Sequence, residues 1–335
     1  MTPPLRIALV GAGMMGANHA RVIAESPEAE LAAVCDVNIG AARALAERYR
    51  SRAYSDLDAL LAGEKIDGAI VATTTSEHLR VASILIGAGA HVLIEKPIAD
   101  SVESARTLIA AAAAAGITLA VGHIERFNPA VLALKHRLSR GELGKLFEIS
   151  TQRKGPFPPR VLDVGVVIDL AVHDLDAVLF ISDSVPVRVY AEVDRRIHTS
   201  HEDQLHGLMR LANGIIASMS INWLSPTKVR DLTVTGERGM FRVDYLTQDL
   251  YQYENAAADT TEYEALAVLR GVKEGRMIRH VVNKVEPLRA EFDAFVAAIR
   301  GDRSKIVTGE DGLAALQLAH ALLRSGASGA PVALA

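Results

Sequence analysis

Short apolar runs and longer stretches with helical periodicity alternate along the first 122 residues. Five apolar runs are predicted as buried strands: LRIALVG, ELAAVCD, DGAIVAT, HVLIEKP and ITLAVG. Helices are predicted between these strands, over residues 14–26, 39–50, 78–89 and 101–115. Strands that alternate with helices through short loops are typical of a parallel sheet covered on both faces. The pattern therefore predicts an α/β domain over residues 1–122.

The pattern changes after residue 122. LFEISTQRK and VRVYAEVDRRI show the polar–apolar alternation of half-exposed strands. The dipeptide Asn213-Gly214 and the stretch 236–239 each predict the turn of a β-hairpin. These hairpins predict a second α/β domain, residues 123–335, with an open, mostly antiparallel sheet. Two further helices are predicted in this domain, over 288–299 and 311–325.

Composition limits the partners and the compartment that can be expected. The 335-residue chain carries a formal net charge of −4, which argues against a basic nucleic-acid-binding surface. No apolar run approaches the roughly 20 residues that a membrane span requires, and the start of the chain lacks a signal-peptide pattern. The single cysteine, Cys35, excludes an intrachain disulfide and is interpreted as a small core residue. We therefore expect a cytoplasmic protein that binds neither nucleic acid nor membrane.

The first candidate functional motif is GAGMMG. Its glycines, Gly11, Gly13 and Gly16, follow a predicted strand and open a predicted helix. In that context the glycines permit a tight turn, close approach of a pyrophosphate and packing of helix on strand. The helix N-terminus would offer unpaired N–H groups to phosphates. Asp36 ends the second strand, where its carboxylate can hold ribose hydroxyls and would repel the extra phosphate of NADP. These features predict a Rossmann dinucleotide-binding domain and favour NAD over NADP or a flavin.

Two further motifs carry candidate catalytic groups. HVLIEKP places Lys96 just beyond a strand end, where ligands sit in open α/β sheets, and Pro97 disfavours helix at the lysine. Its ammonium could stabilise an alkoxide as a hydride leaves, or it could form a solvated charge pair with Glu95. In DLAVHD, Asp169 and His173 lie four residues apart and would share a helix face. They could handle a substrate hydroxyl, or they could belong to an ordinary helix start.

The ordered set GAGMMGANH, ATTTSEH, EKP and D-x-x-x-H resembles the Gfo/Idh/MocA family of oxidoreductases over nearly the whole chain. The resemblance implies an NAD-binding domain followed by an α/β domain whose open sheet forms oligomer contacts, so a homodimer or homotetramer is expected. It also implies that Lys96, Asp169 and His173 are catalytic and meet at the nicotinamide. The residues then expected to bind the cofactor are Gly11, Gly13, Met14, Met15, Gly16, Asp36, Thr73, Thr74, His78, Glu95 and Lys96.

Several stretches are more similar still to a branch of this family that oxidises C3 of UDP-N-acetylglucosamine with NAD. They include GHIERFNPAV, KGPFPPRVLDVGVVIDLAVHDLD and LRGVKEGRMIRH, in which DVGVVIDL departs from the glycine-rich form of many relatives. The branch implies a UDP-sugar substrate and a pyridoxal-phosphate aminotransferase that aminates the ketone on the way to lipid A. The alternative substrate is a free polyol or hexose such as myo-inositol.

Basic and amide side chains ahead of the Asp/His pair are candidates for binding the UDP group. The residues expected to bind substrate are Lys96, Arg126, Asn128, Arg153, Arg160, Asp169 and His173. The basic stretch 153–160, which also contains Lys154, favours a nucleotide sugar because a free sugar would scarcely need it.

Other interpretations of these side chains stay open. Each arginine could be a surface charge, and Asn128 could cap a helix that begins at Pro129. His19 and His123 could be packing residues. No metal site is predicted, because the polar loop that carries His198 and His201 has no carboxylate cluster of clear spacing.

Overall fold

The computed structural model describes residues 3–158, 164–197, 200–256 and 275–334. The chain divides into two compact units. The first unit comprises residues 1–127 and 285–318, and the second comprises residues 128–284 and 319–335.

The first unit is built on a sheet of six parallel strands. The strands are β1 Leu5–Val10, β2 Ala29–Cys35, β3 Arg52–Tyr54, β4 Gly68–Val71, β5 His91–Glu95 and β6 Leu119–Gly122. Their order across the sheet is β3-β2-β1-β4-β5-β6, and every neighbouring pair is parallel. Because the order reverses between β1 and β4, a crevice for ligands is expected at the carboxyl ends of these two strands. The predicted parallel sheet is confirmed.

The helices of the first unit follow the strands as predicted, with small differences at their ends. The helices are α1 Met14–Ala24, α2 Ile39–Tyr49, α3 Leu57–Gly63, α4 His78–Gly87 and α5 Val102–Ala115, with 3₁₀ turns at Thr75–Glu77 and Ile124–Phe127. The side chains of Asn38, Asp56 and Ser101 accept backbone N–H bonds at the starts of α2, α3 and α5. The short elements β3 and α3 are absent from the sequence prediction, because neither is long enough to show a clear period.

The domain boundary differs from the sequence prediction, which placed all of 123–335 in the second domain. The helix α8, Pro287–Ile299, buries Leu288, Phe292 and Phe295 in the core of the first unit, where Ile7 and Leu9 also lie. The predicted spacing of the helix is confirmed, and its apolar face is the reason that 285–318 belongs to the first unit. The sequence shows that such a face exists but not which core it completes.

The second unit is built on a nine-stranded open sheet. The strands are β7 Leu146–Pro156, β8 Pro186–Asp194, β9 Gln204–Leu211, β10 Ile216–Asn222, β11 Leu224–Gly236, β12 Gly239–Asp244, β13 Asp249–Glu254, β14 Met277–His280 and β15 Val332–Ala333. Their order is β14-β13-β12-β11-β7-β10-β9-β8-β15, and only β7 and β10 pair in parallel. Both predicted hairpins are confirmed, with Gly214 at φ +89° and Gly239 at φ +128° in the turns. The predicted mostly antiparallel sheet is confirmed.

Helices cover one face of this sheet. They are α6 Pro129–Ser139, a π turn Val167–Ala171 that leads into α7 Val172–Ser182, and the last part of α9 Gly309–Ser328. The division between the two units falls within α9, after Leu318. On β9, Gly207 leaves room for Met219 of β10, because a Cβ at this glycine would lie 2.8 Å from the methionine Cγ, and Leu322 of α9 packs beside it. Among the described helices, none is both long and apolar enough to cross a bilayer.

Candidate active site

The glycine loop between β1 and α1 has the geometry of a phosphate cradle. Gly11 has φ +100°, and a Cβ there would lie 2.4 Å from the carbonyl oxygen of Ala72. A Cβ on Gly16 would lie 1.9 Å from the carbonyl oxygen of Gly11, so only glycine lets α1 approach the loop this closely. Above Gly13, by contrast, nothing lies within 4 Å of a Cβ position, and α1 begins there without a side-chain cap. The open space and the unpaired N–H groups fit a pyrophosphate.

Asp36 has a structural role that the sequence did not predict. Its Oδ2 accepts the N–H of Ala12 at 2.7 Å, and its Oδ1 accepts the N–H of Asn38 at 2.8 Å. The carboxylate therefore braces the glycine loop against the start of α2. Each carboxylate oxygen has a further lone pair with which it could accept a ribose hydroxyl. The next residue, Val37, is 90% exposed and supplies no positive charge, which fits NAD.

Thr73 and His78, two of the predicted cofactor residues, follow the carboxyl end of β4. His78 is buried, and its Nδ1 lies 2.9 Å from the carbonyl oxygen of Pro97 while its Nε2 lies 3.3 Å from that of Thr73. Burial lowers the pKa of His78, and a neutral ring has one N–H, which it can donate to the carbonyl oxygen on one side only. The Thr73 hydroxyl is buried and has no hydrogen-bond partner among the described residues, as expected of a group that a ligand satisfies.

The methionines and Thr74 occupy more ordinary positions. Met14 is the first residue of α1 and is 58% exposed, whereas Met15 packs against the core of the first unit. Thr74 is exposed and precedes the 3₁₀ turn that leads into α4. The three stay predictions as cofactor contacts.

Lys96 follows β5, and a buried hydrogen-bonded pair lies beside it. His19 on α1 is 1% exposed, and its Nε2 lies 2.8 Å from Oε1 of Glu95. Oε2 of the same carboxylate accepts the backbone N–H of Lys96 at 3.2 Å. Burial alone would raise the pKa of Glu95, but the hydrogen bond and charge of His19, with the charge of Lys96, hold it below the ordinary value. Glu95 is therefore an anion that ties the phosphate-binding helix to the start of the lysine loop.

Packing was one interpretation of His19 that the sequence left open, and the pairing with Glu95 was not predicted. The signal was partly present, because Gly16, His19, Ala20 and Ile23 recur at helical spacing on the buried face of α1. A histidine on an apolar face requires a polar partner. The identity of that partner depends on the neighbour of the helix, which the sequence does not specify.

In the second unit, Asp169 and His173 lie on a continuous helical segment. Asp169 is in the π turn and donates its backbone N–H to the carbonyl oxygen of Gly165 at 3.0 Å, and His173 is in the first turn of α7. Both side chains are partly exposed. The predicted helix is confirmed, but its first turn is wider than an α turn. Such π turns occur frequently at functional sites.

Two of the predicted substrate residues are buried and have partners within the second unit. Arg153 is 4% exposed, and its guanidinium forms a fork with Asp174, with Nε donating at 2.5 Å and Nη2 at 3.4 Å. Its guanidinium also lies 5.3 Å from the centre of the Tyr245 ring. Asn128 is 2% exposed, caps α6 by accepting the N–H of Ala130, and donates to the carbonyl oxygen of Tyr245. These contacts place the Arg153 and Asn128 side chains in the interior of the second unit, and substrate binding by them stays a prediction.

The remaining predicted substrate residues have different outcomes. Arg126 donates to Asp311 at 3.1 Å, and both belong to the first unit. This pair leaves substrate binding by Arg126 a prediction, since a guanidinium has five N–H donors. Arg160 lies outside the described residues. Among the residues that the structure describes, no group of three or more His, Cys, Asp or Glu could hold a metal ion.

A Rossmann unit with an open glycine loop, joined in one chain to a unit with an open sheet, defines a class of dinucleotide-dependent oxidoreductases. Residues 5–123 match the family model of oxidoreductases with an NAD-binding Rossmann fold, and residues 131–242 match the GFO/IDH/MocA C-terminal domain. The chain belongs to the Gfo/Idh/MocA family. It is an NAD-dependent sugar dehydrogenase, as the family and its relatives show.

The curated relatives include two kinds of enzyme. The chain is 32% identical to UDP-N-acetylglucosamine 3-dehydrogenase from Acidithiobacillus ferrooxidans, over 92% of this chain and 93% of the relative. A solved structure of that enzyme matches with a TM-score of 0.85, covering 96% of this chain and 97% of the other. Inositol 2-dehydrogenase 2 from Saccharopolyspora erythraea is 30% identical over 99% of this chain and 96% of the relative.

Proposed function

We propose that this enzyme oxidises the C3 hydroxyl of UDP-N-acetylglucosamine to the 3-keto sugar nucleotide. The observation that carries the proposal is the match to a UDP-N-acetylglucosamine 3-dehydrogenase, in sequence and in fold, over more than nine-tenths of both chains. The sequence stretches that resemble this branch support the same substrate. The basic stretch 153–160 supports it less than the sequence suggested, since Arg153 is paired with Asp174.

Binding of the cofactor is assigned to the residues around the glycine loop. Gly13 and the first N–H groups of α1 would hold the pyrophosphate, Asp36 the ribose hydroxyls, and Thr73 the part of the cofactor nearest β4. When bound, NAD accepts the hydride that leaves the carbinol carbon.

The chain's own residues would handle the proton of the hydroxyl. Oxidation of a secondary alcohol breaks a C–H and an O–H bond and forms a C=O bond, so the O–H proton needs an acceptor. His173 and Lys96 are the two candidate acceptors. A neutral imidazole can take the proton directly, while the lysine ammonium would stabilise the developing alkoxide. Asp169, which shares the helical segment of His173, would orient the substrate or the imidazole.

Direct turnover assays test the proposal. Purified enzyme and NAD should produce NADH with UDP-N-acetylglucosamine, and the product mass should be lower by two hydrogen atoms. A trap for the ketone, such as a pyridoxal-phosphate aminotransferase with an amino donor, is included because an unfavourable equilibrium could hide turnover. The variant His173→Asn should lower kcat by roughly 10²–10⁴-fold with NAD affinity retained. Turnover of myo-inositol or glucose but not of the nucleotide sugar would contradict the proposed substrate.

A free polyol such as myo-inositol is the second candidate substrate. The 30% identity to an inositol 2-dehydrogenase over 99% of this chain favours it. The burial of Arg153 also favours it, because one of the cations expected to meet a diphosphate is already paired.

The proposal extends to partners and compartment. The enzyme would act in the cytoplasm. Its single cysteine, Cys35, is a buried free thiol, which agrees with a reducing compartment. An aminotransferase would use the ketone, on the way to a lipid A with a 2,3-diamino sugar.

The face of the open sheet that carries Leu208 would join copies of the chain into a dimer or tetramer. Leu208 is 50% exposed and lies between Tyr190 and Ser218 on the neighbouring strands. Light scattering of the wild type and of Leu208→Arg tests this assembly, and a monomeric wild type would refute it.

A further inference from the structure

One glutamate from a distant part of the chain holds the start of the helical segment that carries Asp169. Glu202 lies just before β9 in the second unit. Its carboxylate Oε1 accepts the backbone N–H of Val167 at 3.0 Å. Its carbonyl oxygen accepts the backbone N–H of Val166 at 2.9 Å. Two N–H groups at the beginning of the segment, which no turn of the helix can satisfy, are thus satisfied by a single residue.

Gly165 makes room for this glutamate. A Cβ at Gly165 would lie 2.1 Å from the carboxylate carbon and 2.1 Å from Oε1 of Glu202. The backbone of Gly165 lies outside the left-handed region, so the requirement for glycine comes from the close approach of the carboxylate. Because the carboxylate is the free end of a flexible side chain, an added methyl group would displace it from Val167 and leave the backbone bond to Val166 in place.

We propose that Glu202 is a positioning residue for Asp169 and His173, with Gly165 as the space that admits its carboxylate. The inference rests on the proposed function, which assigns these two side chains to the substrate hydroxyl. A π turn contains one residue more than an α turn. If it relaxed to an α turn, the residues ahead of it would rotate by about 100° relative to α7. Glu202 holds the turn from its N-terminal end and so fixes the direction of Asp169 relative to His173.

Three single variants and one double variant test the inference. Glu202→Ala removes the carboxylate that accepts the Val167 N–H, and Gly165→Ala displaces that carboxylate. Each variant should therefore lower kcat by about 10–100-fold through misplacement of the catalytic groups. The KM for NAD should stay unchanged, since the cofactor residues belong to the first unit. Glu202→Gln keeps a side-chain carbonyl acceptor and should retain most of kcat. Glu254→Ala, which removes a partly exposed partner of Arg276, is the matched control.

The double variant Gly165→Ala/Glu202→Ala gives the sharpest result. Once the carboxylate is absent, the methyl group displaces nothing, so the double variant should have the kcat of Glu202→Ala alone. Multiplied losses would overturn the inference. Full activity of both single variants, while His173→Asn is inactive, would also overturn it and leave the proposed catalytic residues intact. If the wild type does not oxidise UDP-N-acetylglucosamine, the proposed function fails instead, and an active His173→Asn would leave Lys96 as the proton acceptor.

Amide hydrogen exchange tests the same contact without any substrate. The Val167 amide should exchange at least 10-fold faster in Glu202→Ala and in Gly165→Ala than in the wild type, and Glu202→Gln should retain protection. The control Glu254→Ala should exchange like the wild type in residues 166–173. Unchanged exchange in both alanine variants would overturn the inference whatever the substrate of the enzyme.

Discussion

The hydrogen-bonded fork between Arg153 and Asp174 predicts that Arg153 stabilises the second unit. A stability measurement can distinguish this role from substrate binding. The two side chains are 5% and 0% exposed, and they join β7 to α7 in the second unit. Removing one partner of a buried pair leaves the other charge uncompensated, at a cost of about 3–5 kcal/mol. Asp174→Ala should therefore lower the free energy of unfolding of this unit by that amount.

The loss of unfolding free energy in Asp174→Ala can be measured by tryptophan fluorescence. Trp223 is the sole tryptophan of the chain, belongs to the second unit and is 3% exposed, so its fluorescence reports the unfolding of this unit. With an m-value of about 2 kcal/mol/M in urea, a loss of about 4 kcal/mol lowers the midpoint by about 2 M. The control Asp231→Ala removes the partner of Arg242 in a pair that is 19% and 39% exposed, and should cost less than about 1 kcal/mol.

Two outcomes would refute this reasoning. If Arg153→Met raises the KM for the sugar substrate and leaves the urea midpoint unchanged, Arg153 is a substrate ligand and the fork contributes nothing to stability. If Asp174→Ala costs no more than Asp231→Ala, burial does not govern the strength of the pair. The double variant Arg153→Met/Asp174→Leu should recover much of the loss, because apolar groups of similar volume leave no charge uncompensated.

Three other predictions concern the first unit. Asp36→Ala should reduce the preference for NAD over NADP, because the repulsion between the carboxylate and the extra phosphate disappears. It should also weaken the binding of both dinucleotides, because the Ala12 N–H loses its acceptor. Titration with each dinucleotide measures the two dissociation constants, and an unchanged ratio between them would contradict the prediction. Since Glu95 has a pKa below its ordinary 4.5, its contribution to stability is complete above that pH and is lost as the pH falls further. His19→Leu should raise that pKa and move acid unfolding, followed by circular dichroism, to higher pH. Burial raises the pKa of Cys35 to about 11, so Ellman's reagent should react at pH 8 only after denaturation; rapid reaction of the folded enzyme would disprove this.

The parts of the fold that depend on local patterns were predictable from the sequence. The period of the apolar runs gave the parallel sheet, and Asn213-Gly214 gave a hairpin at the observed place. The glycine motif predicted the loop, because Gly11 and Gly16 allow close backbone contacts and Gly13 leaves the space above the loop open. Contacts between distant segments were not predictable. The packing of α8 on the first unit, the His19–Glu95 pair and the approach of Glu202 to Gly165 each depend on which surfaces meet.

The burial of Arg153 could have been predicted from the alternation of its strand. The stretch LFEISTQRK is predicted as an alternating strand, and in β7 the buried positions are Ile149, Thr151, Arg153 and Gly155, as a period of two requires. Once Ile149 is placed in the core, the same period places Arg153 there. A buried guanidinium needs a carboxylate, so the alternation alone argues for an ion pair. By the same register Lys154 lies on the opposite face, which leaves the first two cations of the stretch 153–160 on different sides of the sheet. The stretch is therefore not a single basic surface, and its charges cannot be summed as one site for a diphosphate.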